Sequence, residues 1–173
     1  MMSISTGQES LMRTRLLAIT LLLAVCGCEQ ARYNPSGNAV VSFQRAQKAA
    51  SADGKHLMVV FGADWCPDCR KLHDNLQSAE VQAYMQDHMD FLTVDVGDKD
   101  RNLVLAEQLG VSVANGIPVA VFFLPDGRPI GATNDGQLEP SRYLTSRQIL
   151  RFVQAIVEQR QITRPTVVKD EQA

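Results

Sequence analysis

Residues 57–61 read "LMVVF", a short apolar run without alternation. A strand with one wet face alternates apolar and polar side chains. An unbroken run of this length suits a strand covered on both faces. That strand must sit inside a sheet with other elements packed above and below it. Two further runs supply partners: "FLTVDV" over residues 91–96 and "VAVFFL" over residues 119–124. The turn signal Pro125-Asp126-Gly127 then predicts that residues 128–132 return as a hairpin partner. Helical spacing predicts helices over residues 40–52, 66–76 and from Ser78 onward, the last with Val81, Tyr84 and Met85 on one face. Asp98 and Asp100 are expected to cap a helix running to Leu109, stopped by Gly110. Thr145-Ser146-Arg147-Gln148 reads as a capping box before "ILRFVQAIVEQ". The first two strands are joined through helix, which favours parallel pairing with a right-handed crossover. The last two are joined by a tight turn, which requires antiparallel pairing. The expected fold class is therefore α/β, a mixed central sheet with helices on both faces.

A chain of 173 residues with 45% apolar content has enough material for one ordinary domain with a real core. A formal net charge of −2 leaves no electrostatic footprint for nucleic acid. The N-terminus reads as something other than domain. Arg13 and Arg15 precede an apolar run over residues 16–25 that is shorter than the roughly 20 residues a spanning helix needs, and small residues follow. This is a secretory-signal layout over residues 1–27, and Met12 is a candidate true start. Val25-Cys26-Gly27-Cys28 resembles the bacterial lipobox, with Val25 where Leu is commonest. The resemblance implies acylation of Cys28 and a lipid anchor in place of a spanning helix. Residues 28–38, with "EQARYNPSGN", read as lipidated cysteine plus flexible tether. The domain is expected over residues 39–162 and a frayed tail over 163–173. Export places the remaining cysteines, Cys66 and Cys69, where disulfides persist.

Those two cysteines, two residues apart in "WCPDC", admit a metal clamp, a structural staple or a redox pair. Cys66, Cys69 and His73 have plausible spacing for three ligands, but no second CxxC or paired histidine completes a closed site. A staple closing so small a loop contributes little chain-entropy stabilisation.

The order of elements, with Trp65-Cys66-Pro67-Asp68-Cys69 after the first apolar strand and Gly116-Ile117-Pro118 before the third, resembles the thioredoxin-like fold. The match covers roughly residues 39–160. The subgroup it looks most like is the bacterial, exported, lipid-anchored members. The resemblance implies a mixed sheet of four to five strands and a Cys66–Cys69 redox disulfide that opens and closes in turnover. A thiolate at a helix N-terminus is favoured by unpaired N–H groups and the helix dipole. Cys66 is then the attacking thiol, and Cys69, one turn further in, the resolving one. The family keeps the proline at Pro118 cis, with the Ile117 backbone free to pair with a substrate strand. Trp65 is expected to present a flat contact surface beside the cysteines. No organic cofactor and no metal are expected, since the dithiol itself carries the electrons.

Departures from the family pattern are as informative. The position of a buried Asp that assists the resolving thiol is occupied here by Val60, and that of a helix-kinking proline by Asp74. His73, four residues after Cys69, is then either a base for that thiol or a surface histidine. Asp64 and Asp68 place negative charge near Cys66, which opposes thiolate formation; Arg70 and Lys71 are expected to offset it in part. Residues 134–144 form a loop longer than a simple thioredoxin needs, either a determinant of substrate choice or an idle insertion. The expected function is a thiol–disulfide oxidoreductase, on the reductase side, acting on protein thiols and disulfides with an upstream redox partner. It is expected to be a monomer, lipid-anchored and facing the periplasm. The alternative is a copper- or zinc-binding or non-catalytic protein-binding module on the same scaffold.

Overall fold

The computed structural model describes residues 31–158. The expected signal segment, the lipidation site at Cys28 and the tail at 163–173 lie outside the described residues.

Helix α1 (Ala39–Ala52) opens the domain, with the Asn38 side chain accepting the Val41 N–H at 3.1 Å as its N-cap. Strand β1 (His56–Gly62) follows, then α2 (Pro67–Leu76), α3 (Ala79–His88) and β2 (Met89–Asp95). Helix α4 (Leu103–Gln108) leads to β3 (Val119–Phe123) and β4 (Pro129–Ala132). A 3₁₀ turn (Ser141–Tyr143) precedes α5 (Ser146–Val157), which starts on the expected capping box of Thr145 and Gln148. Among the described residues the sheet has four strands in the order β2-β1-β3-β4. The β1–β2 pair is parallel, as a helical crossover demands. The β1–β3 and β3–β4 pairs are antiparallel. This is the expected mixed sheet.

The unbroken apolar run behaves as its composition requires. Leu57, Met58, Val59, Val60 and Phe61 are all buried, and so is every residue of β3. Both faces of the two central strands are therefore covered. Burial of such side chains contributes roughly 1.5–3 kcal/mol each relative to exposure, and this central pair anchors the loops at its ends. Val60 is fully buried and pairs with Thr93 on one side and Ala120 on the other.

Two expectations are corrected. Asp98 and Asp100 do not cap α4. Its N-cap residue is Asn102, in the left-handed region at φ 55, and no side-chain capping bond is made there. The Asp100 carboxylate instead accepts the Asp98 N–H at 3.1 Å and closes the turn that includes Gly97. The second correction concerns the tether. Arg32 and Tyr33 pack on the domain. Tyr33 is only 1% exposed, against Gly62, where an added Cβ would come within 2.8 Å of the ring. Thr93 donates to the Arg32 carbonyl at 2.8 Å, and the Arg32 guanidinium pairs with Asp74 at 2.8 Å. Residues 32 and 33 thus belong to the packed domain. Among the described residues no helix is long and apolar enough to cross a membrane.

Candidate active site

Cys66 sits at the junction of the β1 loop and α2. It is the N-cap residue of α2, in an extended conformation at φ −79 and ψ 118. Pro67 follows in the first turn, where its missing N–H costs nothing. The Cys66 Sγ accepts the Cys69 backbone N–H at 3.2 Å, one of the donors a helix leaves unpaired at its start. On its other side the thiol lies 3.5 Å from the Ile117 carbonyl, to which it donates. Cys69, one turn further along, is fully buried. Both are free thiols here, the reduced form of the pair. The Ile117–Pro118 peptide is cis, as the resemblance implies. The two motifs, 51 residues apart in sequence, meet at the Cys66 sulfur.

The two sulfurs differ in acidity because they differ in surroundings. The Cys66 thiol is drawn down to about 7 from the ordinary 9.0. A hydrogen bond from the Cys69 thiol is the largest cause. Burial opposes it, and backbone N–H groups of Cys69 and Asp68 add to it. The Asp68 carboxylate pushes the other way, as expected. The Cys69 thiol is driven far upward, first by burial and then by its hydrogen bond to Cys66. One sulfur is therefore ready to attack near neutral pH and the other holds its proton.

The remaining expected site residues fall around this pair. Trp65 is 53% exposed, its indole N–H pinned to the Gly97 carbonyl at 2.9 Å. The ring is thus both held and presented to solvent. Asp64 lies at the end of the β1 loop. Its backbone carbonyl accepts the Arg70 guanidinium at 2.8 Å, and one oxygen of its carboxylate is buried without a hydrogen-bond partner. His73 is partly buried rather than at the surface. Its side chain is only 18% exposed, near the rings of Tyr33 and Phe91, with Nδ1 3.8 Å from the Asp74 carboxylate. Burial is the leading cause that lowers its pKa. Among the described residues no hydrogen bond joins it to Cys69, and its Nδ1 is buried without a hydrogen-bond partner. Nor do the described residues hold any group of three or more His, Cys, Asp or Glu placed to bind a metal ion.

Three residues escaped sequence reasoning. Tyr33 donates from its hydroxyl to the Cys69 carbonyl at 3.4 Å, and burial raises its pKa well above 10.0. Asn75, buried in α2, donates to the Leu144 carbonyl at 2.9 Å and so fixes the end of the long loop. Arg142, within that loop, places its guanidinium on the Asp68 carboxylate, with Nε 3.0 Å from both oxygens, while its backbone N–H donates to Oδ1 at 2.8 Å. Asp68 is consequently buried and paired, and its counter-charge is Arg142 rather than the expected Arg70 and Lys71. Arg70 is committed to the Asp64 carbonyl, and Lys71 is exposed. The only advance signal for this pairing was the cost of a carboxylate so close to a thiolate.

Comparison with known proteins agrees with this geometry. A family model described as a thioredoxin-like domain matches residues 43–153. A solved structure of a disulphide isomerase from Xylella fastidiosa Temecula1 is 31% identical, with a TM-score of 0.71, over 75% of this chain and 98% of that one. A thioredoxin-fold protein from Helicobacter pylori is 21% identical with a TM-score of 0.46, over 61% of this chain and 71% of that one. No curated protein matches the sequence.

Proposed function

Because the chain belongs to the thioredoxin-like domain family, we propose that Cys66 and Cys69 form the redox centre of a thiol–disulfide oxidoreductase that works in the reducing direction. The observation that carries the reading is the asymmetry of the pair: a helix-capping Cys66 with an acidic thiol, backed by a buried Cys69 one turn away. The Cys66 thiolate attacks one sulfur of a substrate disulfide. A mixed disulfide forms, and the first substrate sulfur leaves as a thiolate that takes up a proton. Cys69 then gives up its proton and attacks the Cys66 sulfur, which frees the second substrate thiol and leaves the Cys66–Cys69 disulfide. Two electrons have passed to the substrate, and an upstream dithiol must return them.

The reducing direction rests on how weakly the thiolate is held. Strong oxidants of this fold stabilise the attacking thiolate to a pKa near 3.5, whereas thioredoxin lies near 7. Cys66 at about 7 belongs with the latter. The Xylella protein bears the name of a disulphide isomerase, and that favours isomerisation as a second reading. Both activities start from the same reduced dithiol. Trp65, Ile117 and Pro118 form the substrate groove on this reading, with the exposed indole as one wall. Cys28 carries the lipid, and the protein faces the periplasm from a bacterial envelope membrane.

Catalysed reduction of insulin by dithiothreitol tests the activity. Wild type is expected to accelerate it, Cys66→Ser to abolish the effect, and Cys69→Ser to accumulate a mixed disulfide on Cys66. Equal activity of wild type and Cys66→Ser would overturn the reading. Release of the protein from membranes by Cys28→Ser tests the anchor; retention of that variant would refute it.

A further inference from the structure

Asp68 lies between the two cysteines in sequence, only 5% exposed, and its charge opposes the Cys66 thiolate. An unpaired carboxylate there would work against the very thiolate the reaction needs. The long loop at residues 134–144 answers this. Arg142 reaches across 74 positions of sequence to hold both carboxylate oxygens with its guanidinium and one of them with its backbone N–H as well. This forked arrangement fixes distance and orientation, which an ammonium group cannot do. The loop itself is built to present the arginine. Leu138 and Leu144 anchor it in the core, Asn75 holds the Leu144 carbonyl, and the Ser146 hydroxyl donates to Asn75. The same loop touches the opposite wall of the site, where the Glu139 carboxylate occupies the space a side chain at Gly116 would need.

We propose that Arg142 is a positioning residue for the redox reaction: it clamps Asp68 and cancels its charge beside Cys66, so that the attacking sulfur stays reactive near neutral pH. The inference rests on Cys66 being the attacking thiol. The groups that face or influence this sulfur are Cys69 and Asp68 from α2, the Ile117 carbonyl from the loop before β3, Tyr33 from the N-terminal segment, and Arg142 from the 3₁₀ turn. Asp64 stands beside Tyr33 and His73. Arg142 is the cation of this set. Its own pKa is raised, first by its hydrogen bonds to Asp68, with Cys66 contributing through charge. The segment is therefore part of the redox site rather than an idle insertion.

The test is the pH profile of Cys66 alkylation by iodoacetamide on the reduced full chain, with peptide mapping to locate the label. It reads the thiolate directly and needs no turnover. Arg142→Gln is expected to move the midpoint up by about one pH unit, because the guanidinium is half exposed and partly screened; the thiolate at pH 7 then falls about five-fold. Asp68→Asn is expected to move the midpoint down. The double variant, lacking both charges, is expected to return to within about half a unit of wild type. Arg142→Lys is expected to restore part of the shift. An unchanged midpoint in Arg142→Gln overturns the proposal. So does a double variant shifted as far as Arg142→Gln, since a purely structural latch would give that result. Should Arg142→Gln fail to fold, Asp68→Asn carries the decision from the other side of the pair, and an unchanged midpoint there also overturns it. A wild-type midpoint near 9 is a different failure: it removes the acidic thiol and with it the proposed function.

Discussion

The acidity of Cys66 has an identifiable source, and removing that source has a calculable effect. A thiol at about 7 rather than 9.0 is half ionised at pH 7 instead of about 1% ionised, roughly a fifty-fold gain in nucleophile. The shift corresponds to a preference for the thiolate on the order of 3 kcal/mol. Two donors come from Cys69: its thiol, the larger contributor, and its backbone N–H at 3.2 Å. Cys69→Ala removes the first and keeps the second. A hydrogen bond to a charged acceptor contributes about 1.5–3 kcal/mol, so the midpoint for Cys66 should rise by about one to two pH units. Cys69→Ser keeps an O–H donor at the same position and should stay within about half a unit of wild type. Stopped-flow alkylation from pH 5 to 10 reads all three profiles. The wild-type pair titrates as a unit, so its lower midpoint belongs to the pair, while each variant reports Cys66 alone. A Cys69→Ala midpoint equal to wild type would refute the reasoning, because the helix N-terminus alone would then suffice. In the reduced protein the sign for stability follows from the lowered folded-state value. The contribution of Cys66 is fully present above about pH 9, the ordinary thiol range, and is lost as pH falls through about 7.

Other outcomes follow from named contacts. Tyr33→Ala empties a buried site and should cost about 3–5 kcal/mol in urea melts, whereas Tyr33→Phe loses only the bond to the Cys69 carbonyl and should cost about 1 kcal/mol. Gly62→Ala forces a Cβ against the Tyr33 ring and should cost about 1–3 kcal/mol; a neutral effect would show that residues 31–33 are not docked on the sheet. Asn75→Ala strands the Leu144 carbonyl and should cost about 1–3 kcal/mol, with faster proteolysis within residues 134–144 as its local signature. Thr145→Ala removes half of the α5 capping box and should lower stability by about 1 kcal/mol in the same melts.

The frame of the molecule was legible because it rests on local signals. Unbroken apolar runs marked β1 and β3, and Thr145 with Gln148 marked the start of α5. The placement of Cys66 at a helix N-terminus followed from Pro67 and the period of the residues after it. What was not legible depends on distant parts of the chain. Tyr33 is one aromatic residue in a polar, Pro- and Gly-containing stretch, and composition pointed to a tether. Its burial depends on the bare backbone at Gly62, which nothing near Tyr33 reveals. Arg142 reads as one exposed cation among many; its role exists only because Asp68, far away in sequence, needs a partner. Asp98 and Asp100 looked like helix caps because Asp is a good cap. The left-handed Asn102 displaced the start of α4, and the Asp100 carboxylate was spent on the turn. His73 reads from its spacing as either a base for Cys69 or a surface histidine, and the rings of Tyr33 and Phe91 that lie near it come from distant parts of the chain.

The central claim is a reversible Cys66–Cys69 couple on the reducing side. Equilibration of the purified protein in thiol redox buffers, with the dithiol fraction read by mass after alkylation, tests it most directly. The account predicts a two-electron transition near the thioredoxin value of about −270 mV. A transition near −120 mV would contradict the reducing direction, and the lack of any reversible disulfide would contradict the redox centre itself.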